Sequence, residues 1–149
     1  MNASLEEVLA RDKVLVYRTR GTSMEPMLRQ NRDLVTIRVP SARLKKYDVA
    51  LYKRGKDCVA HRVIKVLPDG YLIRGDNTFK TERVPEGNVL GVLTGFMRRG
   101  KQYSADGRLY RLYARAWHFI FPARYFWRRL TRFLSSRLAR VFGKRGERS

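Results

Sequence analysis

A serine hydroxyl and an imidazole can perform nucleophilic chemistry near neutral pH when folding brings them together. Ser23 lies in Gly21-Thr22-Ser23-Met24-Glu25-Pro26-Met27-Leu28, a loop flanked by Gly and Pro that leads into a brief helical turn. Its hydroxyl needs a base to take the proton, donors for the developing oxyanion, and a group that orients the base. A tight loop can aim backbone N–H groups at one point, although Ser before a helical turn commonly serves only as its cap. His61 is one of two histidines and is the natural proton acceptor near neutrality. A lone strand histidine bonded to a carbonyl is the ordinary alternative. Asp76, in Arg74-Gly75-Asp76-Asn77-Thr78, and Glu82 are carboxylates able to orient an imidazole. Gly75-Asp76-Asn77 reads equally well as a plain turn. His118, in an aromatic C-terminal segment, reads as a packing or interfacial residue. The two histidines and the single Cys58 are widely separated, so no metal-ligand spacing and no cofactor are implied.

These residues need elements to position them. Ser4 followed by Glu7 has capping-box spacing and predicts a short helix over Leu5 to Arg11. Val14–Tyr17 reads as a strand, and runs rich in Val, Ile, Leu and Tyr predict strands at Leu34–Val39, Val49–Lys53, Val59–Leu67, Tyr71–Arg74 and Val89–Phe96. Their spacing predicts a mainly β domain over 1–101. Pro68-Asp69-Gly70 is a strong turn signal that folds His61 back toward Gly75-Asp76-Asn77. A three-residue loop would set His61 opposite Asn77, and a two-residue loop opposite Asp76.

The composition bounds the partners. With 33 Lys+Arg against 13 Asp+Glu, the 149-residue chain carries a formal charge of +20, which attracts polyanions but says nothing about fold. One cysteine allows no internal disulfide. Met1 to Lys13 contains Glu6, Glu7 and Asp12 and is not a secretory signal, and no stretch is apolar enough to be a transmembrane helix. Ala105 to Ser149 holds 12 Lys+Arg and 2 Asp+Glu, half of the excess charge. There Trp127, Leu130, Phe133, Leu134, Leu138, Val141 and Phe142 recur at helical spacing among Arg128, Arg129, Arg132, Arg137 and Arg140. Pro122 is expected to divide this region, 102–149, into two helices.

Taken in order, the short boxes form a series. Gly21-Thr22-Ser23-Met24-Glu25-Pro26 is followed by Asn31-Arg32-Asp33-Leu34-Val35, Tyr47-Asp48-Val49-Ala50-Leu51-Tyr52, His61-Arg62-Val63-Ile64-Lys65-Val66, Arg74-Gly75-Asp76-Asn77 and Val89-Leu90-Gly91-Val92-Leu93. Over roughly residues 14 to 97 this series resembles the signal peptidase I / S24–S26 peptidase superfamily. With histidine rather than lysine at the base position, it leans to the archaeal and endoplasmic-reticulum type. The resemblance implies a compact signal-peptidase-like β domain with Ser23 as nucleophile and His61 as base. It further implies oxyanion donors at the Ser23 N–H and the Thr22 hydroxyl, and a third member for which Asp76 is preferred and Glu82 is the rival. Two departures stand out: the family's usual N-terminal anchor is not read here, and Gly21 replaces a serine that many members carry.

For the C-terminal segment, a helix packed on the β domain with a solvated basic face competes with an interfacial helix. The interfacial reading places Trp117, Phe126 and Trp127 in the headgroup boundary and Arg128, Arg129 and Arg132 on acidic lipid. The functional expectation is then a serine endopeptidase that trims leader or signal segments bound in extended form. It would associate peripherally with the membrane, on its cytoplasmic face. No specific nucleic acid is expected, and the oligomeric state is left open. A catalytically inactive peptide- or membrane-binding domain of the same fold is the alternative.

Overall fold

The structure, a computed structural model, describes residues 5–143 and the side chains of residues 5–135. Ser4 of the expected capping box, and the side chains of Arg137, Leu138, Arg140, Val141 and Phe142, lie outside the described residues.

The apolar runs form strands whose two faces find different partners. Helix α1 (Leu5–Asp12) precedes β1 (Val14–Arg18), β2 (Leu34–Arg38), β3 (Val49–Arg54), β4 (Asp57–Leu67) and β5 (Gly70–Arg74). Then come β6 (Glu82–Pro85), a 3-10 turn (Glu86–Asn88), β7 (Val89–Arg98), β8 (Lys101–Ser104), α2 (Arg108–Phe119) and α3 (Phe121–Gly143). The strands make one antiparallel sheet in the order β1-β2-β7-β3-β4-β5-β6, with β8 paired to β7. Strand β3 is buried on both sides. Val49 and Leu51 join a core with Leu9, Val35, Ile37 and Phe96, whereas Ala50 and Tyr52 join a second core with Val63, Tyr71 and Ile73. Each large apolar side chain buried this way contributes about 1.5–3 kcal/mol. The architecture is mainly β with a helical C-terminal part, the class expected from the strand spacing.

Strands β6 and β8 carry no apolar run. In Glu82-Arg83-Val84-Pro85 only Val84 is buried, and Lys101–Ser104 is exposed throughout. An edge strand needs only backbone pairing and one anchor, so alternation in the sequence does not announce it.

The β4–β5 hairpin decides the register at His61. Its loop is Pro68-Asp69, between paired Leu67 and Gly70. A two-residue loop by itself sets His61 opposite Asp76, but a β-bulge between Val63 and Lys65 shifts the pairing, so that Arg62 faces Arg74. His61 therefore falls beside Gly75, and Asp76 meets Arg62 instead. Neither expected register holds, because a bulge inserts one residue into one strand only and exchanges the faces beyond it.

The first compact unit runs to Arg115, past the composition change near Lys101, and Ala116–Ser149 forms the second. In the first, β8 completes a hairpin with β7, and Tyr110 and Tyr113 of α2 reach Arg62 and Asp76. In the second, Pro122 sits at the second position of α3, where its missing N–H costs the helix nothing. Trp117 packs under the Arg124 guanidinium at 3.9 Å. Phe126, Trp127, Phe133 and Leu134 are exposed, as are Arg128, Arg129 and Arg132. At about 100° per residue, Phe126, Trp127, Leu130, Phe133 and Leu134 share one side of α3, with the three arginines on the other. No helix among the described residues is long and apolar enough to cross a membrane.

Candidate active site

Ser23 rides on the long β1–β2 connection, and the base of that connection is clamped. The Thr19 N–H bonds the Asp33 carbonyl at 3.1 Å, and the Asn31 N–H bonds the Thr19 carbonyl at 2.9 Å. The Thr19 hydroxyl donates to the Arg29 carbonyl at 2.7 Å. Asp33, with no exposed side-chain surface, accepts from the Arg29 N–H and from both Arg32 and Arg98. Burial acts to raise the Asp33 pKa, but these hydrogen bonds and the two guanidinium charges outweigh it and hold the carboxyl below its ordinary range. Met24, Met27 and Leu28 fasten the connection from within, each almost wholly buried in the core. Sequence reasoning read Asp33 only as part of a box. Its role as the connection's anchor appears once Arg98, 65 positions later, reaches it.

The turn after β5 grips the serine directly. The Asn77 N–H bonds the Ser23 carbonyl at 2.8 Å, and its side-chain amide donates to the Thr22 carbonyl at 3.2 Å. Gly75 is required by proximity: a Cβ there would lie 2.6 Å from the Ser23 carbonyl oxygen and 3.1 Å from His61 Nε2. Gly75-Asp76-Asn77 is thus a turn, as its composition suggested, and it also joins the nucleophile loop to the histidine strand.

Ser23 and His61, 38 positions apart, meet with Oγ and Nε2 separated by 3.0 Å, a distance suited to proton transfer. Nδ1 of His61 lies 3.1 Å from the Tyr52 hydroxyl. That hydroxyl donates at 3.0 Å to Glu82, which also pairs with Arg54. The pattern assigns the tautomer. An ionised carboxylate only accepts, so Tyr52 spends its single proton on Glu82 and receives the Nδ1 proton on a lone pair. Nε2 is then left as an acceptor facing Ser23.

His61 is only 5% exposed, and burial lowers its pKa from the ordinary histidine value. The Glu82 charge opposes this in part, while Arg54 adds to it. Tyr52 is held protonated far above the ordinary phenol range, by burial and then by its hydrogen bond to Glu82.

Of the two carboxylates, Glu82 belongs to the imidazole's hydrogen-bond chain and Asp76 does not. Both ring nitrogens of His61 are occupied, by Ser23 and Tyr52. Asp76 instead takes two hydrogen bonds of 2.7 Å from Arg62, and Tyr113 donates to it at 3.3 Å. Burial disfavours the Arg62 charge, yet Asp76 prevails and the guanidinium is firmly protonated. Tyr52 is the residue that sequence reasoning missed. Its signal was available: Ala50 pairs with His61, so Tyr52, two residues along β3, shares that face and lies diagonally across from the imidazole.

Among the described residues, the Ser23 N–H makes no internal hydrogen bond, and exposed Thr22 likewise commits its hydroxyl to none. A cavity of about 890 Å³ opens beside the pair, lined by Tyr17, Thr19, Met24, Cys58, Ala60 and Leu93 among others. No metal-binding group of His, Cys, Asp and Glu occurs among the described residues. No family model matches the chain, and no curated protein matches it.

Proposed function

We propose that this chain is a serine endopeptidase of the signal-peptidase type, cleaving leader or signal segments of peptides or proteins. The observation that carries the proposal is the 3.0 Å contact between Ser23 Oγ and an Nε2 that its neighbours leave as acceptor. Ser23 Oγ attacks the scissile carbonyl as His61 Nε2 takes its proton. The Ser23 N–H, with the Thr22 hydroxyl, stabilises the oxyanion. Nε2 then returns the proton to the leaving amine, and water, deprotonated by the same nitrogen, releases the acyl group. Tyr52 and Glu82 orient the imidazole and stabilise the imidazolium without accepting its proton. The 890 Å³ cavity, with more apolar than polar surface, suits an extended segment carrying small or apolar side chains. An acylating serine probe should label the protein at Ser23 and leave the Ser23→Ala variant unlabelled. Labelling at another residue, or equal labelling of both proteins, removes the reading.

The orienting chain has its own test. Glu82→Gln removes a charge that raises the His61 pKa, so the acid limb of kcat/KM should move to lower pH. Tyr52→Phe removes the acceptor of the Nδ1 proton. It should lower kcat by about 10- to 100-fold, the equivalent of one buried partner left unmade. An unshifted limb in Glu82→Gln counts against the chain.

Peripheral binding to acidic membrane is the second part of the proposal, supported by the exposed aromatics and arginines of α3. Full-length protein should float with anionic liposomes, and Phe126→Glu with Trp127→Glu should reduce the floating fraction several-fold. Undiminished flotation of that variant would assign the binding elsewhere.

A further inference from the structure

A second cavity, of about 420 Å³, lies in the first unit and is lined by Pro26, Arg29, Arg32, Arg98, Arg99, Lys101 and Tyr103. Its walls come from the connection that bears Ser23 and from the β7–β8 hairpin, and five of its seven lining residues are cationic. Among the described residues Asp33 is the carboxylate bonded to them, and the charge of Glu25 also acts on Arg32. Asp33 sits fully buried, bonded to Arg32 and Arg98, and fixes both guanidinium groups. Arg98 also reaches the carbonyls of Pro26 and Met27, so its position is determined from several directions. The side chains of Arg29, Arg99 and Lys101 make no hydrogen bond or ion pair among the described residues.

The hairpin brings its cations there at a conformational cost. Arg98 pairs with Lys101 across a two-residue turn, Arg99-Gly100, and both turn residues have positive φ, 49° and 76°. Such a turn favours Asn or Gly at its first position, since a long side chain is strained in the left-handed region. The strained residue here is a cation, and cations crowd beside it around a concave surface. Fixed guanidiniums from Asp33's pair, free cations around them and a phenol at the rim form the chemistry that recognises phosphate oxygens. Tyr103 and Met97, both more than a third exposed, lie on the same hairpin and provide apolar surface nearby.

We propose that this cavity binds a phosphate group, borne by a lipid headgroup or free in solution. The site is separate from Ser23 and His61 and does not depend on the peptidase reading. It shares the β1–β2 connection with Ser23, so an occupied site also relieves the mutual repulsion of the cations that flank that connection.

The test titrates full-length protein with inorganic phosphate against sodium chloride at matched ionic strength. Arg99→Glu with Lys101→Glu is the probe variant, because neither side chain holds the fold together. Arg38→Glu with Lys56→Glu, two exposed cations outside the cavity, makes the same change in net charge. A saturable response to phosphate is expected in the parent, weakened about tenfold or more in the probe variant and by no more than about twofold in the control. Vesicles of phosphatidylcholine with and without phosphatidylglycerol then identify the source, with Phe126→Glu and Trp127→Glu present in parent and probe alike so that α3 does not mask the cavity. If the probe variant loses flotation with the anionic vesicles, and phosphate competes for the parent's binding, the ligand is a headgroup. If flotation is unchanged while phosphate binding is lost, the ligand is a free phosphate. A parent response no greater than with chloride, a probe variant that binds phosphate like the parent, or a control that weakens as much as the probe each overturns the site.

Discussion

Ser23→Ala and His61→Ala should each lower the turnover of a cleavable leader peptide by about 10⁶-fold, and the double variant should be scarcely worse than either. The near-equality follows from their geometry. Oγ and Nε2 share one proton across 3.0 Å, so removing either end abolishes the same step. What survives is catalysis by the oxyanion donors and by substrate positioning alone. Both side chains leave the main connection intact, because the clamp of Thr19, Arg29 and Asp33 and the Asn77 bond to the Ser23 carbonyl involve neither. Circular dichroism should therefore show the parental fold in both variants, with thermal melting unchanged in Ser23→Ala and lowered in His61→Ala, whose side chain is buried. Co-expression with a leader-bearing precursor, followed by mass spectrometry of the product, measures the effect. Cleavage that continues in both variants at the parental rate would refute the enzymatic reading.

Asp76→Ala should act on stability, lowering it by about 3–5 kcal/mol. The side chains of Arg62 and Asp76 are each 3% exposed, and the two 2.7 Å bonds between them are the guanidinium's main compensation. Deleting the carboxylate leaves a buried charge bonded only to the Tyr47 carbonyl, Tyr110 and Met27, and removes the bond that the Tyr113 hydroxyl makes to it. Replacing both partners, Arg62→Leu with Asp76→Ala, removes the charge along with its counterion and should recover much of the loss. Urea denaturation of the parent and the two variants reads these differences directly. A single variant as stable as the parent would mean that water or another acceptor already solvates Arg62. In the linear reading Asp76 was the preferred partner of the imidazole and Glu82 its rival, an order the hydrogen bonds reverse. A large stability loss with the Tyr52–His61 bond intact would distinguish its structural role from an orienting one.

Most of the strands were legible because their apolar residues must be buried. Val35, Ile37, Val49, Leu51, Val63 and Ile73 leave almost no surface exposed, and a run of such residues has few other places to go. Edge strands β6 and β8 escaped notice since pairing at an edge asks little of side chains. Residue type made Ser23 and His61 candidates and the resemblance of the ordered boxes paired them, but their contact depends on β4 lying next to β3 and β5 and on the Asn77 turn closing over the serine loop.

The sequence by itself determined the mainly β class, the two chemically capable residues, the turn at Pro68-Asp69 and the basic amphipathic end. Each is a property of neighbouring residues: periodicity, turn preference, pKa and charge act within a few positions. Only the tertiary structure decided which carboxylate serves the imidazole. One extra residue at Ile64 changes the face on which everything beyond it falls, so Asp76 was delivered to Arg62, and Tyr52 was left to link His61 to Glu82. No local preference encodes that shift, because a bulge is selected by the packing of both strands at once.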